Sequence, residues 1–118
     1  MKSILKPGYL AAAVVSLFTF STALAAETGE VIFHENGCNS CHEVIKKSAG
    51  PSISEIITKY AGDRQAQAWL EEKVRRGGSG SFGTTNMPPI IEPVTDKEIE
   101  IMVEWILSQK PEPNRSFD

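Results

Sequence analysis

The sequence CNSCH, residues 38–42, contains the residue types and spacing that are most able to do chemistry. Its two cysteines are the only ones in the chain, and a histidine follows the second one directly. Two thiols separated by two residues can form a disulfide, bind a metal ion, exchange electrons as a dithiol, or attach a larger group covalently. The residues around the motif decide between these four kinds of chemistry.

Three of the four interpretations fit the sequence poorly. A disulfide between Cys38 and Cys41 would close a very small loop and would stabilise the fold little. A structural zinc site needs four ligands, and the one further histidine, His34, falls within a predicted helix. A dithiol of the thioredoxin kind belongs to a βαβ unit, and the sequence indicates no pair of strands.

The fourth interpretation uses every functional residue of the motif, because C-x-x-C-H is the attachment signature of c-type haem. At helical spacing Cys38 and Cys41 lie one turn apart on the same face, so each thiol can form a thioether with one vinyl group of a single porphyrin. His42 then lies against the iron as its proximal ligand. The sequence therefore predicts one covalently bound haem c, with its iron ligated by His42.

The second axial position decides whether such a haem passes electrons or binds small molecules. Its candidates are His34, Met87 and Met102. Met102 belongs to an apolar helical stripe, where methionine commonly fills the core, and His34 lies too near the attachment motif to reach the opposite face easily. Met87 comes directly before Pro88 and Pro89, which fix φ and stiffen the chain. We therefore predict that Met87 ligates the iron and raises its reduction potential. An open or displaceable sixth position would instead suit a peroxidase or a gas-binding protein.

The stretch SAGP, residues 48–51, follows the motif by a few residues. Ligating histidines usually donate their second N–H group to a carbonyl or a carboxylate oxygen. The carbonyl of Pro51 is therefore the predicted acceptor for the His42 ring.

Helical periodicity and capping signals predict the elements that position these residues. Ser52 with Glu55, and Thr95 with Glu98, form capping boxes at the starts of two helices. The glycine- and proline-rich stretch 77–93 is predicted to be a long loop. Helices are expected from about Thr28 to Gly37, from Ser52 to Gly62, from Arg64 to Arg76 with Asp63 as cap, and from Thr95 to Gln109.

The beginning of the chain differs from the rest. Lys2 and Lys6 precede an uncharged apolar run that ends in small residues around Ala25, which is typical of a secretory signal peptide. We predict a signal peptide at 1–25, one domain at 26–110 and a C-terminal tail at 111–118. An uncleaved membrane anchor is the alternative, because the apolar run is just long enough to span a bilayer.

Charge is unevenly distributed along the chain, whose formal net charge is −3. That acidic balance argues against nucleic acid as a partner. Basic residues gather in the middle of the chain, at Lys46, Lys47, Lys59, Lys73, Arg75 and Arg76. Acidic residues gather near its end, at Glu92, Asp96, Glu98, Glu100 and Glu104. We predict that the basic group steers docking to acidic patches of partners, with ordinary solvated helix faces as the alternative.

The motifs together resemble those of the small bacterial class I cytochromes c. The resemblance extends over about residues 28–110. The matching pieces, in order, are GCNSCH, AGPSISEIITKYAG, GGSGSFGTTNMPPI and EWILSQK. It implies an all-α fold of four to five short helices wrapped around the haem, with the first and last helices crossing where Gly29 or Phe33 meets Trp105.

The resemblance also implies the site and the function. It marks Cys38 and Cys41 as attachment points, His42 and Met87 as axial ligands, and the Pro51 carbonyl as partner of His42. It implies a periplasmic carrier that passes single electrons between respiratory or denitrification-type redox partners. Such a carrier is not itself an enzyme, docks transiently as a monomer, and does not stay inserted in a membrane after signal cleavage. A haem subunit of a larger periplasmic oxidoreductase is the alternative.

The chain departs from the family pattern on both sides of the predicted methionine ligand. Relatives often have a tryptophan that bonds a haem propionate where Phe82 stands here, and Lys73, Arg75 or Trp69 could replace that contact. Relatives can also have an asparagine after the two prolines, where this chain has isoleucine.

Overall fold

The computed structural model describes residues 20–110, and these residues are almost entirely helix and loop. Within this range, extended backbone pairs only at two isolated β-bridges, one between His42 and Lys47 and one between Gly78 and Met87. The four helices are α1 (Phe20–Glu35), α2 (Ile53–Lys59), α3 (Ala66–Arg76) and α4 (Asp96–Ser108), with a single 3₁₀ turn at Cys38–Ser40. The all-α prediction is therefore confirmed.

Both predicted capping boxes are present. The Ser52 hydroxyl accepts the Glu55 N–H group at 3.1 Å, and the Glu55 carboxylate accepts the Ser52 N–H group at 2.7 Å. Thr95 and Glu98 make the same reciprocal pair at the start of α4. Each box satisfies two backbone donors that a helix start otherwise leaves without partners.

Three predicted helix limits are wrong. The helix α1 begins at Phe20 rather than near Thr28. The helix α3 begins at Ala66 rather than at residue 64, because the Asp63 carboxylate accepts the N–H group of Gln65 at 2.8 Å in a turn that precedes the helix. The helix α2 ends at Lys59, before the positive-φ residue Gly62.

The helices α1 and α4 cross in close contact, as the family resemblance implies. A Cβ atom on Gly29 would collide with the Trp105 side chain and would lie 2.7 Å from the Ile101 carbonyl oxygen. The rings of Phe33 and Trp105 meet beside this point, with centroids 5.2 Å apart. Glycine at position 29 therefore sets the distance between the two helix axes.

The buried core lies between these helices and is mainly aliphatic. The most deeply buried apolar side chains are Ile53, Ile99, Met102 and Val103, which are at most 2% exposed. Further buried members are Ile32, Phe33, Ile56, Val74, Trp105 and Ile106. The apolar stripe predicted for α4 is thus the centre of the core.

Most of both chain ends lies outside the described residues. The predicted tail at 111–118 and residues 1–19 of the predicted signal peptide lie outside the described residues, while residues 20–25 form the start of α1. Across residues 20–110, no helix combines the length and hydropathy that crossing a bilayer requires.

Candidate haem-binding site

A cavity of about 350 Å³ brings the predicted site residues together. Cys38, Cys41 and His42 line it from one segment of the chain, and Met87 lines it from the loop that precedes α4. Most of its remaining wall is apolar, and the core contributes Phe33, Ile56, Leu70, Val74, Met102, Val103 and Ile106. The cavity thus offers sulfur and nitrogen donors within a largely apolar enclosure.

The attachment motif is shaped by a tight turn that follows α1. Gly37 has a φ of 70°, a left-handed conformation that few other residues adopt easily. The N–H groups of Cys41 and His42 then donate to the Cys38 carbonyl oxygen at 3.1 and 2.9 Å. This turn brings both cysteines to the cavity, and neither is in a disulfide.

The Cys38 thiol is partly buried beside the cavity. Burial raises its pKa, a backbone hydrogen bond opposes this effect, and the neighbouring Cys41 raises it slightly further. Before haem attachment, burial therefore favours the neutral form of the Cys38 thiol.

His42 is oriented by the chain that follows it. Its Nδ1 donates to the Pro51 carbonyl oxygen at 2.8 Å, the contact expected from the sequence. Since a carbonyl can only accept, the proton is on Nδ1 and the lone pair of Nε2 is available to a metal. Gly50 packs against the ring, and a Cβ atom there would lie 2.7 Å from His42 Cε1.

Met87 is fixed through its backbone. Met87 and Gly78 exchange N–H···O hydrogen bonds of 3.0 and 2.8 Å. A Cβ atom on Gly77, whose φ is 66°, would collide with the Met87 carbonyl oxygen and lie 2.7 Å from the nitrogen of Pro89. The glycines that end α3 therefore hold the Met-Pro-Pro segment close to the helix.

The two other ligand candidates differ from Met87 in their placement. Met102 is 1% exposed, and it packs in the core and against the cavity wall. The His34 side chain is 53% exposed on α1, where it approaches Glu30 at 4.0 Å. His34 does not line the cavity.

The residues suggested as propionate partners have separate environments. Lys73 lines the cavity. Trp69 is half-exposed beside a shallow surface groove. Arg75 directs its guanidinium to Asp96 and to the carbonyl oxygens of Ile90 and Val94. Arg75 therefore reaches from α3 to the loop and is not among the residues that line the cavity.

Phe82 contacts residues at the end of α2, and the sequence alone does not indicate these contacts. The Lys59 ammonium lies 4.3 Å from the centre of the Phe82 ring and donates to the Ser81 carbonyl oxygen. The Tyr60 ring meets Phe82 edge-on at 6.4 Å. The end of α2 thus holds the glycine-rich loop through a cation–π contact and a hydrogen bond, which no local sequence signal reveals.

The donor set suits a porphyrin iron better than a bare ion. In residues 20–110, no three His, Cys, Asp or Glu side chains cluster so as to hold a metal ion by themselves. One histidine, one methionine and two cysteines around an apolar cavity instead match a metal that brings its own equatorial ligands.

The cytochrome c family model matches residues 26–110. The chain belongs to the cytochrome c family. Cytochrome c-551 of Azotobacter vinelandii is 40% identical over 84 residues, which are 71% of this chain and all of that relative. Cytochrome c-551 of Pseudomonas aeruginosa is 37% identical over 102 residues, which are 83% of this chain and 96% of the relative.

Solved structures agree with these relatives. The crystal structure of Nitrosomonas europaea cytochrome c552 superposes with a TM-score of 0.64 at 34% identity, covering 69% of this chain and 99% of that one. The cytochrome c fold and the resemblance to small bacterial class I members are therefore confirmed. As a member of this family, the chain carries one covalently bound haem c and transfers electrons.

Proposed function

We propose that this cytochrome c is a periplasmic carrier that passes single electrons between redox proteins through a low-spin haem iron ligated by His42 and Met87. The observation that carries this proposal is the meeting of Met87 with Cys38, Cys41 and His42 at one apolar cavity. A thioether opposite an imidazole raises the reduction potential of haem iron, as suits a respiratory or denitrification-type carrier.

Each residue has a distinct task in this proposal. Cys38 and Cys41 hold the haem covalently, and His42 ligates the iron through Nε2. The hydrogen bond from His42 Nδ1 to the Pro51 carbonyl fixes the ring and its tautomer. When bound, the haem supplies a one-electron iron couple.

The backbone around Met87 makes the second ligand rigid. Its paired hydrogen bonds with Gly78 and the two prolines that follow limit movement of the sulfur. A ligand that stays in place in both oxidation states suits electron transfer, and it also excludes exogenous ligands from the iron. The apolar wall keeps water from the site, which favours the reduced iron further.

The charged surface supports transient docking. Lys47 and Lys73 line the cavity that holds the haem, and Lys59 lies against the adjoining loop. The acidic residues of α4 include Asp96, whose side chain is 93% exposed. We propose that the basic residues face acidic patches on donor and acceptor proteins, in small complexes that salt weakens.

The remaining parts of the proposal concern the state of the mature protein. We propose that residues 1–25 direct export and are removed, and that residues 26–110 then act in the periplasm as a monomer without enzymatic activity of their own. Permanent binding to a larger oxidoreductase would contradict the carrier function, and size-exclusion of the natural complex distinguishes these outcomes.

Carbon monoxide binding to the reduced protein tests the assigned ligand. Wild-type protein should bind carbon monoxide slowly and weakly, whereas Met87→Ala should bind it rapidly and show a lower reduction potential. Met102→Leu is the matched control, because it removes the other methionine of the cavity wall while conserving volume. Rapid, tight binding by wild-type protein would instead indicate an open site for gas or peroxide.

A further inference from the structure

Arg75 connects α3 to the loop that follows Met87. Its guanidinium donates to the Ile90 carbonyl oxygen at 3.2 Å and to the Val94 carbonyl oxygen at 2.9 Å. Two further bonds, of 3.1 and 2.6 Å, reach Asp96 Oδ1. One side chain thus contacts two carbonyls of the segment between Met87 and α4, and also the first residue of α4.

That segment has few other means of staying in place. Pro88, Pro89 and Pro93 have no N–H groups to donate. The N–H group of Ile90 donates to the Val74 carbonyl oxygen at 3.0 Å, beside Arg75 on α3. The Ile90 and Val94 carbonyl oxygens lie on an irregular segment, where no helix or strand supplies their hydrogen-bond donors. The Arg75 guanidinium donates to both of them instead.

We propose that Arg75 is a positioning residue for the sixth ligand: by holding the Ile90 and Val94 carbonyls, it keeps the Met87 sulfur at the haem iron. This inference rests on the proposed ligation by Met87. Arg75 does not line the haem cavity, so its effect is transmitted through the rigid Pro88-Pro89 pair. Loss of its hydrogen bonds lets the segment move away from α3, and the iron then accepts competing ligands more readily.

The environment of Arg75 differs from that of an ordinary surface ion pair. The Arg75 side chain is 30% exposed, whereas the neighbouring Arg76 is 76% exposed and pairs with Glu72 on the same helix at 3.3 Å. Exposed pairs contribute little, while charge-assisted bonds to partly buried carbonyls are stronger. The carbonyl bonds therefore matter more here than the exposed carboxylate of Asp96.

Imidazole binding to the oxidised haem protein tests the proposal, together with the far-red sulfur-to-iron charge-transfer band. In Arg75→Gln the band should weaken, and imidazole should bind about tenfold more tightly, the factor that corresponds to losing one charge-assisted hydrogen bond. Arg75→Lys should fall between Arg75→Gln and wild type, because an ammonium cannot reach the separate acceptors as a planar fork does. Asp96→Asn should remain close to wild type.

Two control variants separate positioning from general stability. Arg76→Gln removes an arginine from the same helix turn and should leave the band and the imidazole affinity unchanged. Gly29→Ala crowds the crossing of α1 and α4 and so weakens the fold at a position away from the acceptors of Arg75. Imidazole binding that tightens equally in Gly29→Ala would overturn the proposal, as would an Arg75→Gln protein that behaves like Arg76→Gln.

Met87→Ala distinguishes failure of this inference from failure of the proposed ligation. If Met87→Ala keeps the charge-transfer band, the ligand assignment itself is wrong. If Met87→Ala loses the band while Arg75→Gln retains it with wild-type imidazole affinity, only the positioning role is wrong. If Arg75→Gln does not accumulate as a haem protein, Arg75→Lys decides alone, and wild-type imidazole affinity in that variant would overturn the role.

Discussion

Gly77 and Met87 lie so close together that the carbonyl oxygen of Met87 occupies the space where a side chain at position 77 would begin. This contact joins the end of α3 to the segment that we propose carries the sixth ligand. The contact therefore requires glycine at position 77 for steric reasons. In the sequence, two consecutive glycines after a basic helix end look only like an ordinary helix C-terminus.

Gly77→Ala is expected to destabilise the fold and to loosen the Met87 segment. A positive φ costs a residue with a side chain about 1 kcal/mol or more, and a clash against backbone adds about 1–3 kcal/mol. Denaturation of the haem protein with guanidinium measures this change. Gly62→Ala is the matched control, because its φ of 74° is similar and nothing lies within 4 Å of the new Cβ atom. Equal losses in the two variants would contradict the steric argument.

Gly29→Ala tests the crossing of α1 and α4. Alanine is the better helix former by about 1 kcal/mol, so an open position would become more stable. Here the added Cβ meets Trp105 and Ile101, and overpacking of this kind costs about 1–3 kcal/mol. We expect a net loss of stability in thermal unfolding. Glu30→Ala, at an exposed neighbouring position, should show no comparable loss, and stabilisation by Gly29→Ala would contradict the crossing.

The capping box of α4 predicts a specific response to acid. Hydrogen bonds from the Thr95 N–H group and hydroxyl lower the pKa of Glu98 from its ordinary value of 4.5. A depressed folded-state pKa gives stability that is present above pH 4.5 and is lost as the pH falls through the lowered value. Glu98→Gln should therefore reduce the loss of stability on acidification below pH 4.5. Glu104→Gln, farther along α4, should leave the acid profile unchanged, and identical profiles for wild type and Glu98→Gln would contradict this role.

Charge reversal tests the proposed docking surface. Lys73→Glu, at the cavity wall, should slow electron exchange with an acidic redox partner at low salt, and the difference should shrink as salt screens the charges. Lys97→Glu makes the same change in net charge at a position outside the cavity lining. Stopped-flow kinetics at several ionic strengths measure both variants. Equal slowing in both would indicate an effect of net charge rather than of this surface.

Local signals in the sequence predict a large part of this structure. The two capping boxes and the stripe on α4 each depend on residues a few positions apart, so short-range rules describe them well. The Pro51 carbonyl could also be predicted, because ligating imidazoles need a second hydrogen-bond partner and Pro51 follows His42 closely.

Contacts between distant segments could not be predicted in the same way. Arg75 looks like one of several basic residues at a helix end, and its attachment to the Ile90 and Val94 carbonyls depends on how the loop returns to α3. The sequence likewise did not indicate that Lys59 would lie over the Phe82 ring. A long side chain can reach many acceptors, and the tertiary fold determines which of them it contacts.

The absorption spectrum of the purified secreted protein, recorded oxidised and reduced, tests the central claim most directly. We expect a covalently bound haem whose reduced form is low-spin, with a far-red sulfur-to-iron band in the oxidised form that disappears in Met87→Ala. A colourless protein with free or disulfide-linked Cys38 and Cys41 would contradict haem attachment. A coloured protein without the sulfur band would retain the cofactor and contradict ligation by Met87.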